Sequence, residues 1–163
     1  MLCKLDKFLN SLYRYSGYVA SFFLILILAT IVVGIASRIF GFYIRGLTEY
    51  SGYSLATASF LALAYTFNEN GHIRITLFLE RAKGSLLKFL TIWCLAVSTF
   101  LSGFLAFYFI KMTFISIKFE ERSEGADEIL IWIPQSTLAI GSTIFFVCVL
   151  HHLVFSIINK KIK

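Results

Sequence analysis

Phe89–Ile110 reads FLTIWCLAVSTFLSGFLAFYFI, 22 residues without an Asp, Glu, Lys or Arg. About 20 apolar residues in helical form cover the ~30 Å hydrocarbon layer of a bilayer, so this stretch is read as a membrane-crossing helix. The pattern repeats on either side of it: Tyr15–Ser37, Tyr50–Asn68 and Ile129–Asn159 are equally free of those four residue types. The sequence therefore predicts an all-α integral membrane protein. Its four transmembrane helices are expected at about 16–38, 49–68, 88–110 and 134–158 of a single domain, 1–163.

These helices and their connections use up nearly all of the 163 residues, which leaves no room for a soluble domain. Any chemistry must then sit within the helices or in a partner. A hydrophobic content of 58% agrees, because a soluble domain of this size would expose far too much of that surface. The first run starts late, is long and lacks a small-residue cleavage signature, so it is expected to stay as a helix and not to be removed as a signal peptide.

The net charge of +6 is unevenly distributed. Lys4, Lys7, Arg14, Arg74, Arg81, Lys83, Lys88, Lys160, Lys161 and Lys163 fall in segments that share one membrane side, with Asp6, Glu69 and Glu80 the acids there. The other side has Arg38, Arg45, Lys111, Lys118 and Arg122 against Glu49, Glu120, Glu121, Glu124, Asp127 and Glu128. Ten bases against three acids give +7, and five against six give −1. Basic loops stay cytoplasmic during insertion, so both termini are expected inside. The basic surplus is read as topology and contact with anionic membrane lipids, not as a nucleic-acid footprint.

Cys3, Cys94 and Cys148 are scattered, without metal-ligand spacing, and Cys3 lacks the preceding apolar signal of a lipoprotein attachment site. Leu2, Leu5, Phe8 or Leu9, and Leu12 recur at helical spacing among Lys4, Asp6, Lys7 and Asn10, which predicts an amphipathic segment at the cytoplasmic interface. Gly41 to Gly46 is expected to make a tight external turn. Thr48 is read as the cap of the second helix, with Glu49 in its positive first turn. Asn70–Leu87 mixes Ile73, Ile75 and Leu77 with Arg74, Glu80 and Arg81, and is read as an interfacial segment between helices two and three. Pro134 offers a start for the fourth span, with Trp132 at the interface. Small residues recur four apart at Thr30 and Gly34, Gly52 and Ala56, Ala58 and Ala62, Ser98 with Ser102 and Ala106, and Thr137 and Gly141. Such stripes let helices approach closely, either within this chain or against another subunit.

A transporter that moves ions by itself keeps ionisable or coordinating groups near mid-membrane. These runs offer almost none. Glu49 is the best such group, and two readings stand: a proton-coupled acid in a small self-sufficient, homodimeric transporter, or a residue explained by its helix terminus and by Arg45 four positions earlier. His151 and His152 suggest a haem-binding anchor. However, consecutive helical residues point about 100° apart and cannot share one axial site. Nucleophile-elbow, phosphate-loop and zinc patterns are missing from the sequence, so no enzyme activity, cofactor or metal is expected.

Arg38, Phe40, then Gly46, Leu47, Thr48, Glu49, Tyr50, then Phe60, Leu61, Ala64, and His72, Ile73, Arg74 form a set that resembles the small, DctQ-type membrane subunit of tripartite ATP-independent periplasmic (TRAP) transporters. Trp132, Ile133, Pro134, Gln135 and Gly141 extend the likeness, which runs from about Arg38 to Gly141. One departure is that Arg74, Ile75 and Thr76 follow His72 and Ile73 where the family commonly has an acid, so no role of that carboxylate carries over.

The resemblance implies a three-part system in the bacterial inner membrane. A periplasmic binding protein captures an organic carboxylate, a large membrane subunit carries it with sodium by sliding one domain against a fixed scaffold, and the small subunit accompanies the large one. A chain without ion sites, but rich in apolar and small-residue surface, suits a bracing role. Arg38, Glu49, His72, Arg74, Trp132, Pro134, Gln135 and Gly141 are then candidates for the subunit interface or for structure. Glu120, Glu121 and Glu124 are candidates for receiving the binding protein, or form a merely solvated turn.

Overall fold

The computed structural model of the chain describes residues 2–42, 44–69, 85–125 and 128–158, with the side chains of 2–5 and 85 outside that description. The described residues form four helices: α1 (Leu2–Ile39), α2 (Leu47–Asn68), α3 (Ser85–Lys118) and α4 (Trp132–Ile158). They contain no extended strand, only an isolated antiparallel bridge between Arg122 and Leu130.

Three segments are long and apolar enough to cross a membrane: Asp6–Ile39, Leu86–Lys118 and Trp132–Ile158. At 22 residues, α2 rises ~33 Å, which is also long enough. It is less apolar because Ser51, Ser54, Thr57, Ser59 and Thr66 interrupt its Leu, Ala and Phe residues. Its place in the fold explains this composition. α2 and α4 pack on each other at the centre, with α1 laid against α2 and α3 against α4. A central helix is largely screened from lipid by its neighbours, so hydroxyls are tolerated once they are bonded. Ser51, Ser59 and Thr66 donate to backbone carbonyls four residues back, those of Leu47, Leu55 and Ala62. Thr57 meets Thr137 of α4 at 2.7 Å, and Ser51 meets Thr30 of α1 at 2.9 Å.

The small residues line these seams. A methyl group on Gly17 would lie 2.7 Å from the Tyr65 ring, and one on Gly34 would lie 2.9 Å from Leu47, so the glycines set how closely α1 approaches α2. Ser102 and Ala106 are buried, and Gly103 abuts Phe146, on the α3–α4 seam. Thr57 with Thr137, Ala64 with Cys148 and Asn68 with His152 advance together, so α2 and α4 run in the same direction. Thr30 with Gly34, Ala58, Ser102 with Ala106, and Thr137 with Gly141 thus serve packing within this chain, whereas Gly52 faces open space, so the expectation of a close approach at Gly52 and Ala56 does not hold at that glycine.

Several expectations change. The amphipathic N-terminal segment is not a separate surface helix: α1 is continuous over 38 residues, ~57 Å, since no Pro or turn signal interrupts Leu2–Ser16. Thr48 does not cap α2. The helix starts at Leu47 after Gly46, whose φ of 75° is left-handed backbone open to glycine, and Thr48 lies inside the first turn. Glu49 is in that first turn, as expected. The third helix extends to Lys118, well past the uncharged run, and Lys111 folds over the Tyr108 ring at 6.0 Å. α4 starts at Trp132, which puts Pro134 in the first turn, where a missing N–H is harmless. Most of the expected interfacial segment, including His72, Arg74 and Thr76, lies outside the described residues.

Candidate functional site

Of the sequence-derived candidates, Glu49, Glu120, Glu121, Glu124, Trp132, Pro134 and Gln135 lie at one end of the molecule, where the connection between α3 and α4 turns back, while His72 and Arg74 lie outside the described residues. After Lys118 the chain closes on itself: Glu121 N–H donates to the Ser116 carbonyl at 3.1 Å, Ser123 N–H to Ile129 at 2.7 Å, and Ile131 N–H to Glu121 at 3.0 Å. The Ser116 hydroxyl donates to Glu121 Oε2 at 2.6 Å and binds that carboxylate to the last turn of α3. Glu120 and Glu128 take left-handed backbone, with φ of 48° and 47°, which residues carrying a Cβ rarely adopt. The result is a short, internally bonded hairpin.

Two side chains of α2 lie under it. The Tyr53 and Ser123 hydroxyls are 2.8 Å apart, and the Ser123 hydroxyl also accepts from the Gly125 N–H at 3.2 Å. Gly125 is so close to the Glu49 carboxylate that any side chain there would collide with both of its oxygens. Glu49 Oε2 is shielded from solvent. Glu49 and Tyr53 are four residues apart, so they share one face of α2. Among the docking candidates, Glu120, Glu121 and Glu124 are all exposed, and Glu121 is additionally tied to Ser116.

Below the hairpin, α4 supplies Trp132, Pro134 and Gln135 from its first turn. Gln135 is 9% exposed and its N–H donates to the Ile131 carbonyl at 3.2 Å. Two turns on, Gly141 lets α4 touch the main chain of Phe60 and Leu61: a methyl group there would be 2.9 Å and 3.1 Å from their backbone atoms. Arg38 stands apart from this group, exposed in the last turn of α1.

The opposite end carries a second polar group that the sequence reading missed. His151 Nε2 is 2.6 Å from Asp6 Oδ1, linking α4 to the first turns of α1. Tyr13 is fully buried against Ala64 and Cys148, and the Cys148 thiol donates to the Ala64 carbonyl at 3.5 Å. His152 Nε2 is 3.4 Å from Asn68 Oδ1. Tyr13, Ser16, Gly17 and Ala20 have the i, i+3, i+4, i+7 spacing of one helical face, which is the signal that would have found Tyr13. Both histidines spend Nε2 on a partner within the chain. A haem iron bound through Nε2 would have to displace those contacts.

Away from both ends, α1 and α3 present broad apolar surfaces, with Phe22, Ile25 and Leu28 on the first and Phe89, Trp93, Phe100 and Phe114 on the second exposed. Surface of this extent is covered by lipid or by a protein partner.

Comparison with known proteins completes the assignment. A family model described as "Tripartite ATP-independent periplasmic transporters, DctQ component" matches residues 13–158. No curated protein and no solved structure matches the chain. The matched range contains all four helices except the first turns of α1, so the residues that build both polar ends, apart from Asp6, lie inside it. The chain belongs to the DctQ family, the membrane component of TRAP transporters.

Proposed function

We propose that this chain is the small, non-catalytic membrane subunit of a TRAP transporter in a bacterial inner membrane. It crosses four times as one domain, with spans at about 16–38, 49–68, 88–110 and 134–158 and both termini in the cytoplasm. It braces the scaffold of the large permease subunit during sodium-coupled uptake of an organic carboxylate delivered by a periplasmic binding protein. The observation that carries this reading is where the chain puts its polar groups. Glu49 lies at the hairpin end and Asp6, His151 and His152 lie at the other, while the stretch between is packed with apolar residues and internally bonded hydroxyls. A chain built in this way offers a solute or ion no charged grip at mid-membrane. Its unpaired resource is apolar surface on α1 and α3, which suits a large hydrophobic partner.

Uptake measured in vesicles with the large subunit and the binding protein, with and without this chain, tests the role. Loss of uptake without it is expected. Undiminished sodium-driven uptake by the large subunit alone would sink the reading.

On this topology the α3–α4 hairpin faces the periplasm, and its exposed Glu120, Glu121 and Glu124 are the side chains placed to receive the binding protein. Rim charges act mainly on association rates and their salt dependence. Reversing Glu120 and Glu124 to Lys should slow association at low ionic strength, with a difference that shrinks as salt is added. An association rate that does not respond at low salt refutes this assignment.

A further inference from the structure

The α3–α4 hairpin is closed by its own backbone bonds, but what sets its position on the molecule is α2. Its footing is the pair Glu49 and Tyr53: the Tyr53 hydroxyl reaches Ser123, and the Glu49 carboxylate fills the space that the missing side chain of Gly125 leaves open. The fit works in both directions. Gly125 must lack a side chain for the carboxylate to reach in, and the hairpin in turn covers Glu49 Oε2 from solvent. The left-handed backbone at Glu120 and Glu128 requires surroundings that hold it.

We propose that Glu49, together with Tyr53, is a positioning residue. The pair seats the α3–α4 hairpin on α2 and so presents the exposed carboxylates of Glu120 and Glu124 in one fixed arrangement. Seating follows from the contacts alone, and its consequence for transport rests on the docking role proposed above. Glu49 is then a structural acid that acts through the hairpin and gives up no proton during transport.

Hydrogen–deuterium exchange over residues 119–131, measured on the complete transporter in lipid nanodiscs, reads the seating directly, because the Ser123 and Ile131 N–H groups are bonded within the hairpin and the Glu121 N–H to Ser116 at the end of α3. Glu49→Ala and Gly125→Ala should each raise exchange of these amides about tenfold, on the order of what losing one shielded polar contact does to a local opening equilibrium. Tyr53→Phe should do so to a smaller extent, and Glu49→Gln, which keeps the shape, should recover most of the protection. In a Glu49→Ala background, Gly125→Ala should add nothing, since the collision is gone. Uptake by the Glu49→Ala transporter should need several-fold more loaded binding protein for half-saturation, with the maximal rate preserved. Unchanged exchange in Glu49→Ala, or additive effects of Glu49→Ala and Gly125→Ala, overturns the seating. Loss of uptake in Glu49→Gln with the hairpin still protected overturns it in favour of a proton-coupled acid. Raised exchange with unaltered uptake keeps the seating and overturns the docking role.

Discussion

A methyl group on Gly141 would press on the main chain of Phe60 and Leu61, whereas one on Gly52 would meet nothing within 4 Å. The two glycines therefore answer the same substitution in opposite ways. In both helices alanine relieves glycine's backbone penalty, by roughly 1 kcal/mol. At Gly141 that gain is outweighed by overpacking against atoms that cannot rotate away, a cost of about 1–3 kcal/mol. Gly141→Ala is expected to lower the thermal unfolding temperature of the purified subunit in detergent, and Gly52→Ala to leave it unchanged or raise it. Equal shifts for the two variants would show that α2 and α4 are not in contact at this level. Gly125 belongs to the same class as Gly141, except that its neighbour is a movable carboxylate, so its substitution should loosen the hairpin rather than push helices apart.

At the scale of elements, charge-free length was the most legible signal. The runs Tyr15–Ser37 and Phe89–Ile110 each fall within a long apolar helix, and the run Ile129–Asn159 contains a third, Trp132–Ile158. The ends were less legible, because a helix does not stop where its uncharged run stops. Lys111 and Lys118 continue α3 by lying over Tyr108 and Phe119, so a lysine at the membrane edge marks a depth and not a boundary. The start of α2 was misread for a related reason. Thr48 has the chemistry of a cap, but Gly46 reached a left-handed turn first and made a side-chain cap unnecessary. Of the candidate residues that the sequence singles out, Glu49 lies against Gly125 and Gly141 against Phe60 and Leu61. Nothing in the sequence signals that Glu49 would meet Gly125, 76 positions further on, because that encounter depends on how two hairpins pack. The pairing of Asp6 with His151 was hidden for the same reason.

At the scale of the whole molecule, the order α1, α2, α4, α3 makes a row whose outer members expose broad apolar faces, and the connections at the two ends of the helices differ in charge. The segments assigned to the terminal side sum to +7 and those on the hairpin side to −1, an asymmetry that favours retention of the termini in the cytoplasm. The continuity of α1 sharpens this into a positional statement. A 38-residue helix is ~57 Å long against a ~30 Å hydrocarbon layer, so a span at 16–38 leaves about four turns of surplus, nearly all of it on the side of Lys7 and Arg14 at roughly 1.5 Å per residue. Lys7 and Glu124 are both exposed and should then lie on opposite sides of the membrane. With Cys3, Cys94 and Cys148 replaced by Ser, a membrane-impermeant thiol reagent added to cells with a permeable outer membrane should label Glu124→Cys at once, and Lys7→Cys only after the inner membrane is opened. Labelling of Lys7→Cys from outside would invert the topology. The hairpin seated by Glu49 would then face the cytoplasm, out of reach of any periplasmic protein.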